Sequence, residues 1–278
     1  MVAPGDVSIR FWGVRGSIAC PGPDTVRYGG NTSCVEIRCG ERLLIMDGGT
    51  GLRELGRELV KDGATIDADL FYSHTHFDHI CGLPFFAPCY ARGNKVRLWA
   101  GHLLPDNQLE NVLYGMMMAP LFPVPIALLN PQVSFTDFRH GETLSPHPGL
   151  VLRTGPLNHP NGATGYRIEY GGKVVCYITD TEHSKNGLDR NVLALVDRAD
   201  FMIYDCTYTD AEYPAHVNWG HSTWEEGVRL AEAAAVRTLV IFHHDPGHDD
   251  VFMDRVACEA GALRPGTIVA KEGMVLQA

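Results

Sequence analysis

His74-Thr75-His76-Phe77-Asp78-His79 places four strong metal-ligating side chains within six positions. It follows Ala68-Asp69-Leu70-Phe71-Tyr72-Ser73, an apolar stretch that reads as a strand running out into a loop. Extended backbone sends residues i and i+2 to one side, so His74 and His76 can hold one cation together. Asp78 and His79 fall past the strand end, where a turning chain can carry them to a second cation. Imidazole and carboxylate suit Zn²⁺, and less selectively Mn²⁺ or Fe. A solvated histidine-rich loop would account for one or two of these residues, but not for four in this order.

Three further candidates each close an apolar run. Residues 151–154 lead to His159, residues 174–179 to Asp180 and residues 238–242 to His243. Polar ligands at strand ends are how α/β proteins hold a site on a rigid frame. The order HxHxDH, His, Asp, His, preceded by Met46-Asp47-Gly48-Gly49-Thr50-Gly51, resembles the metallo-β-lactamase superfamily from about Asp47 to His243. That resemblance implies an αββα sandwich, with two facing mixed β-sheets, helices outside and metals at one edge. Periodicity alone gives only sheets alternating with helices, an α/β chain.

The resemblance also implies a ligand set of two divalent ions. His74, His76 and His159 would hold one, and Asp78, His79 and His243 the other, with Asp180 bridging. Water activated between the ions would be the nucleophile, and Asp78 counts among the catalytic residues as well as the ligands. Asp47 would stand behind the ligands and orient a histidine or the turn. The alternative for Asp47 is a plain turn carboxylate before Gly48-Gly49. His244 directly follows His243; His243 is preferred as ligand because it comes first after the strand, and His244 is assigned to the substrate. His248 and Asp249 read as a solvated loop beside them.

Trp219-Gly220-His221-Ser222-Thr223 resembles the tRNase Z-like and cyclic-phosphodiesterase branch of that superfamily. There this histidine protonates the leaving oxygen with an acidic partner upstream, a role that falls here to His221 and Asp205. The branch usually has His-Glu where this chain has Tyr204-Asp205. A capping or packing histidine at a helix start is the alternative for His221. Near the N-terminus, Arg15, Asn31 and Ser33 lie in glycine-rich stretches whose backbone N–H groups could cradle phosphate oxygens. Tight turns joining strands are the other reading of those stretches.

The whole chain sets limits on these readings. It has 278 residues, 45% hydrophobic and 20% charged, and is expected to form a single hydrolase domain over 1–278. Residues 102–130 stand apart as an insertion, rich in leucine and methionine, with three roles open to it: a lid, a homodimer contact or a satellite core. The formal charge of −10 and the lack of any Lys/Arg cluster disfavour long nucleic acid and favour a small, anionic substrate. Only 20 residues separate His159 from Asp180, too few for the protruding arm with which tRNase Z enzymes grip tRNA. Eight cysteines form no CxxC pair and read as reduced thiols. Residues 1–10 lack the basic and then apolar pattern of a leader, and the longest apolar run, 116–129, is broken by Pro120, Pro123 and Pro125. A cytoplasmic protein with no membrane partner is expected.

The combined expectation is a dinuclear, metal-dependent hydrolase, with a phosphodiesterase acting through a metal-bound hydroxide as the leading form. A hydrolase of a carboxylic ester, lactone, thioester or β-lactam is the alternative on the same metals. From another class comes an iron-dependent oxidoreductase of the same fold.

Overall fold

The computed structural model describes residues 6–130 and 132–278; of the stretch read for a leader, residues 1–5 lie outside it. In chain order the first half supplies β1 (Val7–Gly13), β2 (Cys34–Cys39), β3 (Arg42–Met46), α1 (Gly51–Val60), β4 (Asp67–Tyr72), α2 (Phe77–Ile80), β5 (Lys95–Ala100), α3 (Leu109–Met116) and β6 (Val133–Asp137). The rest supplies β7 (Thr143–His147), β8 (Leu150–Leu157), β9 (Ala163–Tyr170), β10 (Lys173–Ile178), α4 (Arg190–Val196), β11 (Phe201–Asp205), α5 (Trp224–Ala233), β12 (Thr238–Phe242), α6 (Asp250–Leu263), β13 (Ile268–Val269) and β14 (Val275–Gln277).

Two seven-stranded sheets result, ordered β14-β1-β2-β3-β4-β5-β6 and β13-β12-β11-β10-β9-β8-β7. Each is antiparallel in one half and parallel in the other. In the first sheet the change comes at β3, antiparallel to β2 and parallel to β4. In the second it comes at β10, antiparallel to β9 and parallel to β11.

Side-chain alternation explains the layers. Along β3, Leu44 and Met46 join Ile9, Phe11, Phe71, Tyr166, Ile203 and Phe242 in the core between the sheets. Leu43 and Ile45 point the other way and meet Leu52 and Leu55 of α1. On the far side, Met202, Leu239 and Ile241 pack against Val192, Val228 and Val256 from α4, α5 and α6. Burying each such side chain contributes about 1.5–3 kcal/mol, and two sheets with apolar residues on both faces are stable only as the inner layers of an αββα sandwich. The fold class is therefore the one that the motif implied.

Part of residues 102–130 packs onto the first sheet's outer layer. Leu109, Leu113, Met117, Ile126 and Leu129 are buried there, while Tyr114, Leu121 and Leu128 face outward. The central strands fall where hydrophobic runs predict them. β6, β7, β13 and β14 do not stand out in the sequence, being short edge or near-edge strands with half-exposed patterns. No helix among the described residues is long and apolar enough to cross a membrane.

Candidate active site

The site lies at the carboxyl ends of the strands, where open α/β sheets gather ligands. Asp47 follows β3, His74 follows β4, His159 follows β8, Asp180 follows β10, Asp205 ends β11 and His243 follows β12. Asp47, Asp180 and His243 all take left-handed backbone, with φ of 60°, 55° and 62°. Such a conformation costs a non-glycine residue about 1–3 kcal/mol and persists where the surroundings enforce it, most often at functional sites. Here the enforcing groups are the buried strands behind and the cluster in front.

Asp180 sits at the centre. Its Oδ1 is 3.7 Å from His74 Nε2 and 3.7 Å from His159 Nε2. Its Oδ2 is 3.2 Å from both His79 Nε2 and His243 Nε2. Each carboxylate oxygen thus faces its own pair of imidazoles. His76 Nδ1 lies 3.0 Å from His159 Nε2 and joins the first group. Asp78 joins the second, with Oδ2 3.1 Å from His79 Nε2 and 3.6 Å from His243 Nε2. Ligand atoms of His74, His76 and His159 all lie within 4.8 Å of one another, as do those of Asp78, His79 and His243.

Four of the histidines are aimed from behind through Nδ1. Ser73 Oγ lies 3.1 Å from His74 Nδ1, and Asp47 Oδ2 accepts from His79 Nδ1 at 2.8 Å. The Gly220 carbonyl accepts from His159 Nδ1 at 2.8 Å, and Thr207 Oγ1 lies 3.0 Å from His243 Nδ1. A bond to one ring nitrogen fixes the tautomer and presents the other to a ligand. Asp47 is itself held by Ser73 N at 2.7 Å, Ser73 Oγ at 2.8 Å and Tyr177 Oη at 2.8 Å. The orienting reading of Asp47 rests on these contacts. Ser73, Thr207 and Tyr177 are positioning residues that no sequence motif marks.

The donor set suits cations. Asp47, Asp78, Asp180 and Asp205 are all buried, and among the described residues their only ion-pair partners are histidines. Four carboxylates buried this closely need positive charge beside them, which a protonated imidazole or a bound cation can supply. His74 Nε2 is buried with no hydrogen-bond partner and faces the cluster. Burial alone would raise the Asp180 carboxyl, yet His243, His79 and His74 hold it well below the usual carboxylate range. Burial drives His74 well below the usual imidazole value, helped by His79. His79 goes the other way, because Asp180, Asp78 and Asp47 outweigh burial and hold it well above the usual imidazole value; a metal would bind the neutral imidazole and the ionised carboxylate.

His221 stands beside this cluster. Its Nδ1 donates to Asp205 Oδ2 at 2.9 Å and lies 3.9 Å from Asp180 Oδ1. Burial pushes its pKa down, but Asp205, Asp180 and Asp78 outweigh that and hold it up at about 9. His221 does not cap α5, since Thr223 is the N-cap and accepts from Glu226 N at 3.0 Å; its ring packs on His243, with centroids 5.0 Å apart. Glu182 pins the preceding loop. Its Oε1 accepts from Tyr213 Oη at 2.7 Å and Asn218 N at 2.9 Å, and its Oε2 from Gly220 N at 3.1 Å. Gly220, at φ +86°, has no room for a Cβ, which would lie 2.4 Å from His159 Nδ1.

The family model described as Beta-lactamase superfamily domain matches residues 42–244. The chain belongs to this family. It is 24% identical to a Ribonuclease Z of Gemmatimonas aurantiaca, over 97% of this chain and 95% of that one. To a Ribonuclease Z of Crocosphaera subtropica it is 23% identical, over 89% and 92% of the two chains. Among solved structures it is similar to the metallo-beta-lactamase fold protein YhfI from Bacillus subtilis, with 19% identity and a TM-score of 0.73 over 98% of this chain and all of that one. A structure described as a new diphosphatase from the PhnP family gives 19% identity and a TM-score of 0.66, over 98% and 97% of the two chains. The Ribonuclease Z relatives are of the branch that Gly220-His221-Ser222-Thr223 resembles, and the chain is a metal-dependent hydrolase. The relatives' name runs against the expectation that nucleic acid is disfavoured.

The expected substrate contacts need correction in this superfamily member. Arg15 is fully buried. Its Nε donates to the Gly29 carbonyl at 2.7 Å, and its Nη1 to the Asp245 and His248 carbonyls at 3.0 and 2.6 Å. It ties three loops together, and its Nη2 is buried without a hydrogen-bond partner. Ser33 is fully buried under Arg15, with its Oγ 3.4 Å from the Arg15 carbonyl. Asn31 is engaged at both ends, by Glu272 Oε2 at 3.0 Å and Thr50 Oγ1 at 3.0 Å. His244 is fully buried and bonds the Ala270 carbonyl at 2.9 Å, and burial holds its pKa down at about 3. Nor are His248 and Asp249 merely solvated: His248 stacks on Phe252, and Asp249 caps α6. The N-terminal glycine loop touches the His/Asp cluster instead, since Ser17 N donates to Asp78 Oδ2 at 2.8 Å.

Proposed function

We propose that the protein is a dinuclear phosphodiesterase acting on a small phosphodiester or cyclic phosphate. The observation that carries this reading is Asp180, whose two oxygens face two separate histidine pairs. His74, His76 and His159 would hold one divalent ion and Asp78, His79 and His243 the other, with Asp180 shared. Zinc fits the imidazole-carboxylate set best, with Mn or Fe as alternatives. Such a pair lowers the pKa of water and stabilises charge developing on phosphate oxygens.

The rest of the chemistry belongs to the side chains. Asp205 holds His221 as the Nδ1–H tautomer, or as imidazolium, and leaves Nε2 to give a proton to the departing alkoxide. Asp47, Ser73, Thr207 and the Gly220 carbonyl keep the histidines from turning. An acid placed in this way serves a poor leaving group, which favours alkyl phosphodiesters over esters of stable anions. A cytoplasmic location belongs to the same reading.

The test is hydrolysis of bis(p-nitrophenyl) phosphate by zinc- or manganese-loaded protein, with Asp180→Ala as control. Turnover that disappears in the variant supports the proposal. No turnover from protein shown to hold two metals removes it and brings carbonyl substrates forward. A second reading, cleavage of an RNA 3′ end, is favoured by the Ribonuclease Z relatives, one of which the chain matches over 97% of its length. Incubation with a 3′-extended tRNA precursor tests it directly. Against it stand the charge of −10 and the hairpin of β9 and β10, which fills the interval from His159 to Asp180.

A further inference from the structure

A cavity of about 310 Å³ lies on the outer face of the first sheet, where α1 meets β14, β1 and β2. That size is at the lower end of the range of about 300–1,000 Å³ usual for small-molecule sites. Alternation along β1 turns Ser8, Arg10 and Trp12 to this face, and Ile9 and Phe11 to the core between the sheets. The floor of the cavity is therefore polar. Its rim is apolar, with Leu55 and Leu59 of α1 on one side and Val275 of β14 on the other.

Arg10 is the charge in this wall that nothing balances. Its guanidinium carbon stands 4.0 Å from the centre of the Trp12 ring. Its Nε is buried with no hydrogen-bond partner. Strand register sets Arg10 directly opposite Glu36 of β2, where opposite charges normally pair. Glu36 is already engaged: its Oε2 accepts from Trp12 Nε1 at 2.8 Å and its Oε1 from Arg38 Nε at 2.6 Å. On its other side Arg10 faces Val275. Glu58, also in the wall, has Lys61 Nζ 3.9 Å from its Oε2. Among the described residues Arg10 has no ion-pair partner. A half-buried guanidinium with an orphaned N–H lacks an acceptor that a bound group can supply.

We propose that this cavity binds a small carboxylate with an apolar body, the carboxylate taken by Arg10 and the body laid against Leu59 and Val275. An arginine resting on an aromatic ring keeps its fork of N–H groups for a planar carboxylate, which accepts two of them at once. A bare inorganic anion would satisfy Arg10 and leave the apolar rim in water. A neutral hydrocarbon would cover the rim and leave Arg10 unpaired. Only a ligand with both parts answers the whole wall. The site is made by β1, β2, β14 and α1 alone, so the proposal does not rest on the phosphodiesterase reading.

The test is calorimetric titration of the zinc-loaded protein with hexanoate, hexan-1-ol and acetate. Hexanoate should bind about ten-fold or more tightly than hexan-1-ol, which lacks the charge, and about ten-fold or more tightly than acetate, which lacks the body. Arg10→Gln should abolish the first margin and Leu59→Ser should shrink the second. Both residues are half-exposed, so both variants should fold and leave diester hydrolysis unchanged. Carboxylates also ligate metals, and the same titration of Asp180→Ala separates the two sites. Hexanoate binding that survives in Asp180→Ala and fails in Arg10→Gln supports the proposal. Binding that survives in Arg10→Gln, binding lost in Asp180→Ala, or equal affinity for hexanoate and hexan-1-ol overturns it.

Discussion

Asp205 Oδ2 and His221 Nδ1 meet at 2.9 Å, with the carboxylate fully buried and the imidazole nearly so. Both Asp205 oxygens are committed. Oδ2 also accepts from Thr181 N at 3.0 Å, and Oδ1 takes Thr207 N at 3.1 Å and Thr207 Oγ1 at 2.8 Å. One carboxylate therefore orients His221, the proposed proton donor, and, through Thr207, His243. His221→Ala should lower kcat for alkyl phosphodiesters by about 10²–10⁴-fold. The loss should be much smaller for p-nitrophenyl esters, whose leaving anion needs little help from a proton. Metal content measured by mass spectrometry should not change. Equal losses on both ester types would remove the acid role. Asp205→Asn should cost more than the lost charge, because its amide NH₂ must face N–H or O–H donors on one side.

Replacing Asp180 tests the bridge. Asp180→Ala removes the one side chain whose oxygens face both histidine pairs. Metal content should fall from two ions per chain to one or none, and turnover by about 10²-fold or more. Chelation of the intact protein should lower its melting temperature, since ions that bind only the folded state add about 2.7 kcal/mol at a hundred times Kd. Unchanged stoichiometry in the variant, or unchanged melting after chelation, would contradict a metal pair at these residues.

How far the sequence reveals all this follows from what each residue must do locally. The residues of the His/Asp cluster are legible because they follow strands whose apolar runs stand out, and because His and Asp are rare in such places without a reason. The residues behind them are not. Tyr177 reaches Asp47 across 130 positions, and Glu182 reaches Asn218 and Gly220 across 36 and 38. Nothing near a Tyr, Ser, Thr or Glu in sequence announces such a contact. Arg15 misleads for the same reason, since its partners are carbonyls at 29, 245 and 248. The edge strands escape because few of their residues are buried, and Pro146 within β7 argues locally against a strand.

Gly16 offers a steric test of the metal cluster that touches no ligand chemically. A Cβ there would lie 2.3 Å from His243 Cε1 and 2.4 Å from its Nδ1. The ring cannot yield freely, because Thr207 holds it and Asp78 and Asp180 face it. Gly16→Ala should displace His243, leave about one metal per chain and cost about 1–3 kcal/mol of stability. Two metals bound at wild-type affinity would show that the loop of Gly16 does not buttress the cluster.

Arg15 should behave as a structural residue. Its loss strands the buried carbonyls of Gly29 and His248, each worth about 1–3 kcal/mol when unpaired, whereas the Asp245 carbonyl keeps His248 N at 3.0 Å. Arg15→Ala should lower the urea midpoint markedly, while KM for a phosphodiester stays near the wild-type value in whatever protein folds. A large rise in KM without loss of stability would restore the phosphate-binding role.

Asp69 gives a pH dependence away from the cleft. It is fully buried on β4. Its Oδ1 accepts from Arg97 Nε at 2.7 Å and Trp99 Nε1 at 3.0 Å, and its Oδ2 lies 2.8 Å from Arg97 Nη2 and 2.7 Å from His147 Nε2. Because His147 lies on β7, this carboxylate joins the two sheets. Burial would raise its pKa, but the bonds from Arg97, His147 and Trp99 prevail and hold it below the usual range. A folded pKa below the unfolded value of about 3.9 means that the folded state binds this proton less readily than the unfolded chain. Its contribution to stability is therefore complete above that value and is lost as pH falls through it toward the folded pKa. Urea unfolding of wild type and Asp69→Asn should show a gap at pH 5 that narrows below about pH 4. A gap as wide at pH 3.5 as at pH 5 would mean that the Asp69 charge does not stabilise the junction between the sheets.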